Sequence, residues 1–154
     1  MSGTMGIDLL VVPNFVAHDA ASVDLTPRVR RLPGVAPRGE PEPIDAATIA
    51  GRENLAQALI LRLLTPAGSL AALGHGAYGS QLHRLIGRRK TPELRNLCRA
   101  YVLEAVAQEP RVVPPAVALT FEPDAETSAS FVFTLAVQPV GGSATVGLSL
   151  QVGL

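Results

Sequence analysis

The spacing of apolar and polar positions changes its period along the chain. Within residues 53–64, Leu55, Leu59 and Leu63 recur every four residues, and Ala56, Ile60 and Leu64 form a second row beside them. Two adjacent rows make a wide apolar face, which predicts a largely buried helix over 53–64. Pro66 ends it by disfavouring helical backbone at Thr65. A second helix is predicted over 92–108. Thr91 is its cap, Pro92 sits in the first turn, and Leu94, Leu97, Cys98, Tyr101, Val102, Ala105 and Val106 follow a helical stripe. Arg95, Arg99 and Glu104 lie off that stripe. Between the two, Ser80 and Gly87 bracket a short third helix over 81–86, and Arg88-Arg89-Lys90 reads as an exposed link.

Beyond Pro114-Pro115 the period becomes two. Strands are predicted over 117–122, 130–138 and 144–152, joined by the polar segment 123–129 and by Gly141-Gly142-Ser143. The expected fold class is α+β: a three-stranded antiparallel meander with one apolar face under the helices. The last strand, with Val146, Leu148, Leu150 and Val152 on its apolar face, has no lysine, proline or charge from Ala144 to Leu154. Those are the devices that blunt a sheet edge, so an open edge able to take a strand from another chain is expected.

Residues 1–50 follow neither period. Met5–Val12 contains a possible strand. Pro27–Pro43 holds five prolines in seventeen residues, which predicts an extended arm without helix or ladder. The expected organisation is an arm over 1–50 and one compact unit over 51–154.

Charge and chemistry narrow the function classes. Thirteen basic residues balance thirteen acidic ones, and only 17% of residues are charged. That balance gives no general field for nucleic acid or anionic lipid, and low charge suits a subunit whose surface is covered. No apolar run reaches the length of a membrane helix, and Gln57 and Arg62 interrupt the most apolar segment. No secretory leader is read at the N-terminus, so residence in the cytoplasm is expected. Cys98, the single cysteine, reads as a core residue. His18, His75, His83 and Cys98 have no zinc-like spacing, and the glycines of 68–79 form no phosphate loop, so neither metal nor cofactor is expected. Arg84, Arg88, Arg89 and Lys90 form a small basic patch. Glu53, Glu93, Glu104 and Glu109 are too scattered to suggest an acid/base pair for glycoside cleavage. Glu109 is unusual in one respect: a carboxylate at a helix C-terminus opposes the macrodipole and calls for a partner, which Arg111 could supply within the chain or leave to another.

Four runs in order, Asn54-Leu55-Ala56-Gln57-Ala58-Leu59, Leu63-Leu64-Thr65-Pro66-Ala67-Gly68-Ser69, Tyr78-Gly79-Ser80 and Glu109-Pro110-Arg111-Val112, resemble the baseplate wedge proteins of contractile tails. This family, labelled "W" or "lysozyme-like" in myophages, has relatives in type VI secretion baseplates and extracellular contractile injection particles. The resemblance spans about Asp45–Val113 and, in kind, the C-terminal strands. It implies a structural protein, not an enzyme, present in sixfold copies and bundled with other wedge subunits around hub and tube proteins. It further implies a wedge contact through Glu109, Pro110 and Arg111, a turn motif of Thr65, Pro66, Gly68, Tyr78, Gly79 and Ser80, and a sheath protein docking on the strand of Val146, Leu148, Leu150 and Val152. On that view Arg111→Ala impairs wedge assembly without unfolding the domain, and a proline at Leu148 blocks sheath growth. Many relatives carry glutamate where Ser69 stands and proline before the Tyr-Gly-Ser run, where Gly76-Ala77 stands here. Both departures weaken a link to the alternative role, a peptidoglycan-degrading hydrolase of the tail.

Overall fold

The computed structural model describes residues 6–15, 23–142 and 144–154. Met5, His18 and Ser143 lie outside the described residues. Six short strands come first: β1 Ile7–Leu9, β2 Val11–Phe15, β3 Val23–Pro27, β4 Val29–Arg31, β5 Ile44–Ala46 and β6 Thr48–Ala50. Then come α1 (Gly51–Leu64), α2 (Pro92–Ala107), β7 (Val112–Phe121), β8 (Ser130–Pro139) and β9 (Val146–Gly153).

The N-terminal part departs from the expected ladder-free arm. It forms three antiparallel two-stranded ribbons, β1 with β6, β2 with β3 and β4 with β5. They meet at one point. Leu10 donates its N–H to Ala47, Ala47 to Arg28 and Arg28 to Leu10, each at 2.8 Å. The three bonds close a ring, so each ribbon ends on the other two. Prolines are tolerated because these ribbons have free edges, where a missing N–H breaks nothing. The node is fastened to α1 by Gln57, whose amide donates to the Leu9 carbonyl at 2.9 Å and accepts from the Val11 N–H at 3.1 Å. Gln57 thus replaces ladder partners at the gap between β1 and β2.

Among the described residues two α-helices form, not three. Residues 81–86 make a 3₁₀ turn at Leu82–Leu85. The Thr91 hydroxyl accepts from the Leu94 N–H at 3.1 Å and caps α2. The sheet order is β7-β8-β9, antiparallel throughout. β7 starts five residues earlier than expected, at Val112. Its ladder shifts register between Val112 and Val117, across Pro114-Pro115, which supply no N–H.

One face of the sheet packs on both helices. Leu55 and Leu59 of α1, Cys98 and Val102 of α2, and Phe131, Phe133, Leu135 and Val137 of β8 are fully buried. Phe121 meets Phe131 and Phe133 edge-on, with ring centroids 5.8 Å apart. The expected stripes are wider than the buried ones. Leu97 of α2 is 41% exposed. On α1 the Leu55/Leu59/Leu63 row is buried, whereas Ala56, Ile60 and Leu64 are only half-covered. Among the described residues no helix is long and apolar enough to cross a membrane.

Burial pushes the Cys98 thiol up to about 12, with Glu126 adding to the rise. At pH 8 only about one thiol in ten thousand is then thiolate. Labelling by Ellman's reagent is expected to be at least about 100-fold slower in native protein than in urea-unfolded protein. Equal rates would place Cys98 outside the core.

Candidate functional site

The turn motif closes the C-terminal end of α1. Ser80 donates its hydroxyl to the Leu63 carbonyl at 2.6 Å, and Thr65 donates its own to Leu61 at 2.7 Å. The first satisfies a carbonyl that the helix leaves without an intrahelical partner, and the second adds to the bond that Leu61 already accepts from the Thr65 N–H at 3.0 Å. Two backbone bonds of 2.8 Å, Ser80 N–H to Thr65 and Ala67 N–H to Ser80, pair the two ends of the loop between them. Pro66 and Ser80 form a parallel bridge there. Gly79 is buried in this crossing with φ +112°, and a Cβ on it would lie 2.4 Å from the Thr65 carbonyl oxygen. Gly68 also has positive φ, in open space. The loop carries exposed Leu73 and His75 at its tip.

Tyr78 leads from this clamp to the glutamate motif. Glu109 lies just past α2, its side chain 5% exposed. Arg111 donates from Nε to Glu109 Oε1 at 2.6 Å, and Arg62 of α1 brings a guanidinium nitrogen 3.7 Å from Oε2. The Arg62 guanidinium stacks 4.5 Å above the Tyr78 ring and donates to Gln108 at 3.3 Å. Burial pushes the Glu109 carboxyl up, and the hydrogen bond and charge of Arg111, with Arg62 behind, more than reverse this and hold it below its ordinary value. Burial raises the Tyr78 phenol, against the opposing charge of Arg62. Glu109 and Arg111 thus pair within the chain, while Pro110 is exposed beside them. Arg62 belongs to this cluster, although its position in sequence shows only a break in an apolar helix.

β9 carries the third feature. Leu154 donates its N–H to Ala129 at 2.8 Å, on the register that pairs Val152 with Phe131. In an antiparallel ladder alternate residues bond the neighbour, so Val146, Leu148, Leu150 and Val152 bond β8. Their side chains face the core: Val146 and Leu148 are buried, Leu150 and Val152 half-buried. The N–H and C=O groups that point away belong to Gly147, Ser149, Gln151 and Gly153, all exposed. Among the described residues none of these four enters the backbone hydrogen bonds made outside the ladders. Beside this edge runs α1. Ala56 shares a groove with Val146 and Gly147, and Leu64 shares one with Gln151–Leu154, with Ile60 between them on the same helical row.

A fourth cluster is absent from any sequence pattern. Glu126, in the connection between β7 and β8, has a side chain 1% exposed. It receives Lys90 at 2.7 Å and Arg95 at 2.6 Å. Lys90 also donates to the Thr127 and Ser130 carbonyls at 2.7 and 2.9 Å, so it is a structural tie and not part of an exposed link. Arg95 lies over Phe121 and Phe131, and Arg99 over Phe121. Burial raises the Glu126 pKa and the hydrogen bond from Lys90, with the charge of Arg95, brings it below its ordinary value. Arg84, Arg88 and Arg89 remain exposed. Among the described residues no three His, Cys, Asp or Glu side chains gather as a metal site.

No known family model matches the chain, and no curated protein sequence matches it. Among solved structures, the crystal structure of a "putative tail lysozyme" from Geobacter sulfurreducens superposes with a TM-score of 0.55 at 17% identity. The match covers 66% of this chain and 89% of that one. The two proteins share a fold. That likeness concerns architecture.

Proposed function

We propose that this protein is a tail component, a non-enzymatic baseplate wedge subunit of a contractile tail or injection particle. In this reading it joins the inner baseplate to the sheath and templates the first sheath ring by strand exchange. One observation supports the reading: among the described residues, β9 leaves four residues' backbone donors and acceptors unpaired beside a half-covered apolar row of α1. An added strand would satisfy both at once, through main-chain bonds to β9 and side chains against Ala56, Ile60 and Leu64. Each strand added offers a new edge, so the process propagates. The fold likeness to a protein named for a tail, and the resemblance of the Thr65–Ser80 and Glu109–Arg111 motifs, support the same assignment. Sheath protein, other wedge subunits and hub or tube proteins are the partners it implies, in sixfold copies assembled in the cytoplasm.

The alternative, a peptidoglycan hydrolase, draws on the name of the structural neighbour. A glycosidase general acid needs a raised carboxyl pKa. Glu109 and Glu126, the two carboxylates with nearly covered side chains, are held below the ordinary range by cations. This favours the assembly reading.

The test lies at Ser149. Leu148 is unsuited to it, because its N–H faces β8 and proline there would break the sheet itself. The Ser149 N–H faces outward, so Ser149→Pro leaves the β8–β9 ladder intact and removes a donor from the edge. Electron microscopy of particles from cells carrying Ser149→Pro is expected to show tubes and baseplates without sheath, while the purified variant keeps its circular dichroism spectrum. Sheaths of normal length would refute strand templating.

A further inference from the structure

Two grooves lie along β9, one at each end. The groove near Gly147 is walled by Arg52 and Glu53, both exposed. The other, near Gly153, is a cavity of about 480 Å³ walled by Leu63, Leu64, Leu82, Ile86, Val152 and Leu154. Among the described residues no acidic side chain, lysine or arginine lines this second groove. Ile86 is 45% exposed there, a large apolar side chain with one side uncovered. His83 also lines the cavity, and its Nδ1 is buried without a hydrogen-bond partner among the described residues.

Spacing completes the picture. Ala56, Ile60 and Leu64 follow one another by about 6 Å along the helix axis. Residues on one face of a strand follow by about 6.7 Å. A guest strand on β9 therefore keeps step with this row over three contacts and arrives at the cavity in phase.

Building on the strand-addition reading, we infer that the guest is an uncharged extended segment carrying a large aliphatic or aromatic side chain opposite Gln151–Gly153. That side chain seats among Leu63, Leu64, Ile86 and Leu154. The cavity then acts as a register pin. A slip of one residue turns the anchor to the other face of the sheet, and a slip of two carries it from the cavity toward Ile60. The largely apolar lining, without an acidic side chain, lysine or arginine among the described residues, selects the anchor, because a charged side chain entering it would lose its hydration.

Photo-crosslinking separates the anchor from strand addition. A benzoylphenylalanine at Ser149 reports the edge, and one at Ile86 reports the cavity, each in the full-length protein within cells that assemble the particle. Cross-linked peptides are sequenced by mass spectrometry. Both positions are expected to capture the same segment, with a large apolar residue within two positions of the Ile86 cross-link. Ile86→Asp is expected to lower the Ser149 yield about tenfold, and Arg88→Asp, an exposed charge change outside the groove, to leave it within about twofold. An undiminished Ser149 yield in Ile86→Asp overturns the anchor and leaves strand addition standing. So does a charged segment, or a second copy of this chain, at Ile86. No capture at Ser149 overturns strand addition and the anchor with it.

Discussion

Gly79→Ala is expected to destabilise the fold by about 3–4 kcal/mol, read as a fall in the urea midpoint at unchanged slope. Two effects add. The backbone sits at φ +112°, which L side chains rarely adopt, and the new methyl would lie 2.4 Å from the Thr65 carbonyl oxygen and 3.0 Å from the Ala67 nitrogen. Both atoms belong to backbone held by the Ser80 crossing, so they cannot yield without opening it. Gly68→Ala is the control. It shares the positive φ, at +89°, but meets open space, and should cost only about 1 kcal/mol. Equal effects at the two sites would mean that crowding at the crossing contributes nothing. Because Leu63 and Leu64 end α1 at this clamp, the same substitution should also deform the cavity at the end of β9.

Glu109→Gln is expected to cost about 2–3 kcal/mol at pH 7, less than a fully sealed ion pair because Arg111 keeps 27% exposure. The Arg62 side chain, 11% exposed and with its Nε already unpartnered, would lose its nearest anion. The pH dependence has a definite sign. Folding lowers the Glu109 pKa, so its stabilisation is fully present above the unfolded value of about 4.3 and is lost as pH falls through the lower folded value. Unfolding free energy in wild type should therefore fall below about pH 4.5, and the fall should be shallower in Glu109→Gln. Glu126 and Glu93, lowered in the same direction, contribute to the slope that remains. An unchanged acid limb would mean that Glu109 is not paired in the native state. The local pairing also changes what Arg111→Ala reports. Removing Arg111 strands a buried carboxylate, so any loss of assembly in that variant must be separated from loss of stability.

Features encoded within one turn of a helix or one alternation of a strand were legible before the fold was known. The Thr91 cap, the Leu55/Leu59/Leu63 row and the period-two run of β8 depend on neighbours a few residues away. Beyond a possible strand in Met5–Val12, the ribbons of residues 7–50 were not legible, because ladders of three to five residues are too short to show a period and prolines argue against them. Lys90 and Arg95 reach Glu126 from 36 and 31 residues away, and no local pattern announces such a meeting. The turn motif was recognisable by resemblance, but its physical reason, a glycine where two backbones cross, exists only in three dimensions. The half-covered row on α1 is an instructive miss. Ala56, Ile60 and Leu64 read as buried because they are apolar, and their own chain leaves them partly uncovered beside the β9 edge.

The ring of bonds joining Leu10, Arg28 and Ala47 has a consequence for synthesis. Ala47 follows Leu10 by 37 residues, so at about 5–20 residues per second the first ribbon strand waits roughly 2–8 s before the last corner of its ring exists. β1 has no partner at all until Thr48–Ala50 follow, and those residues lead directly into α1. The N-terminal strands are therefore made first and completed late, at the moment the helix on which they rest begins to form.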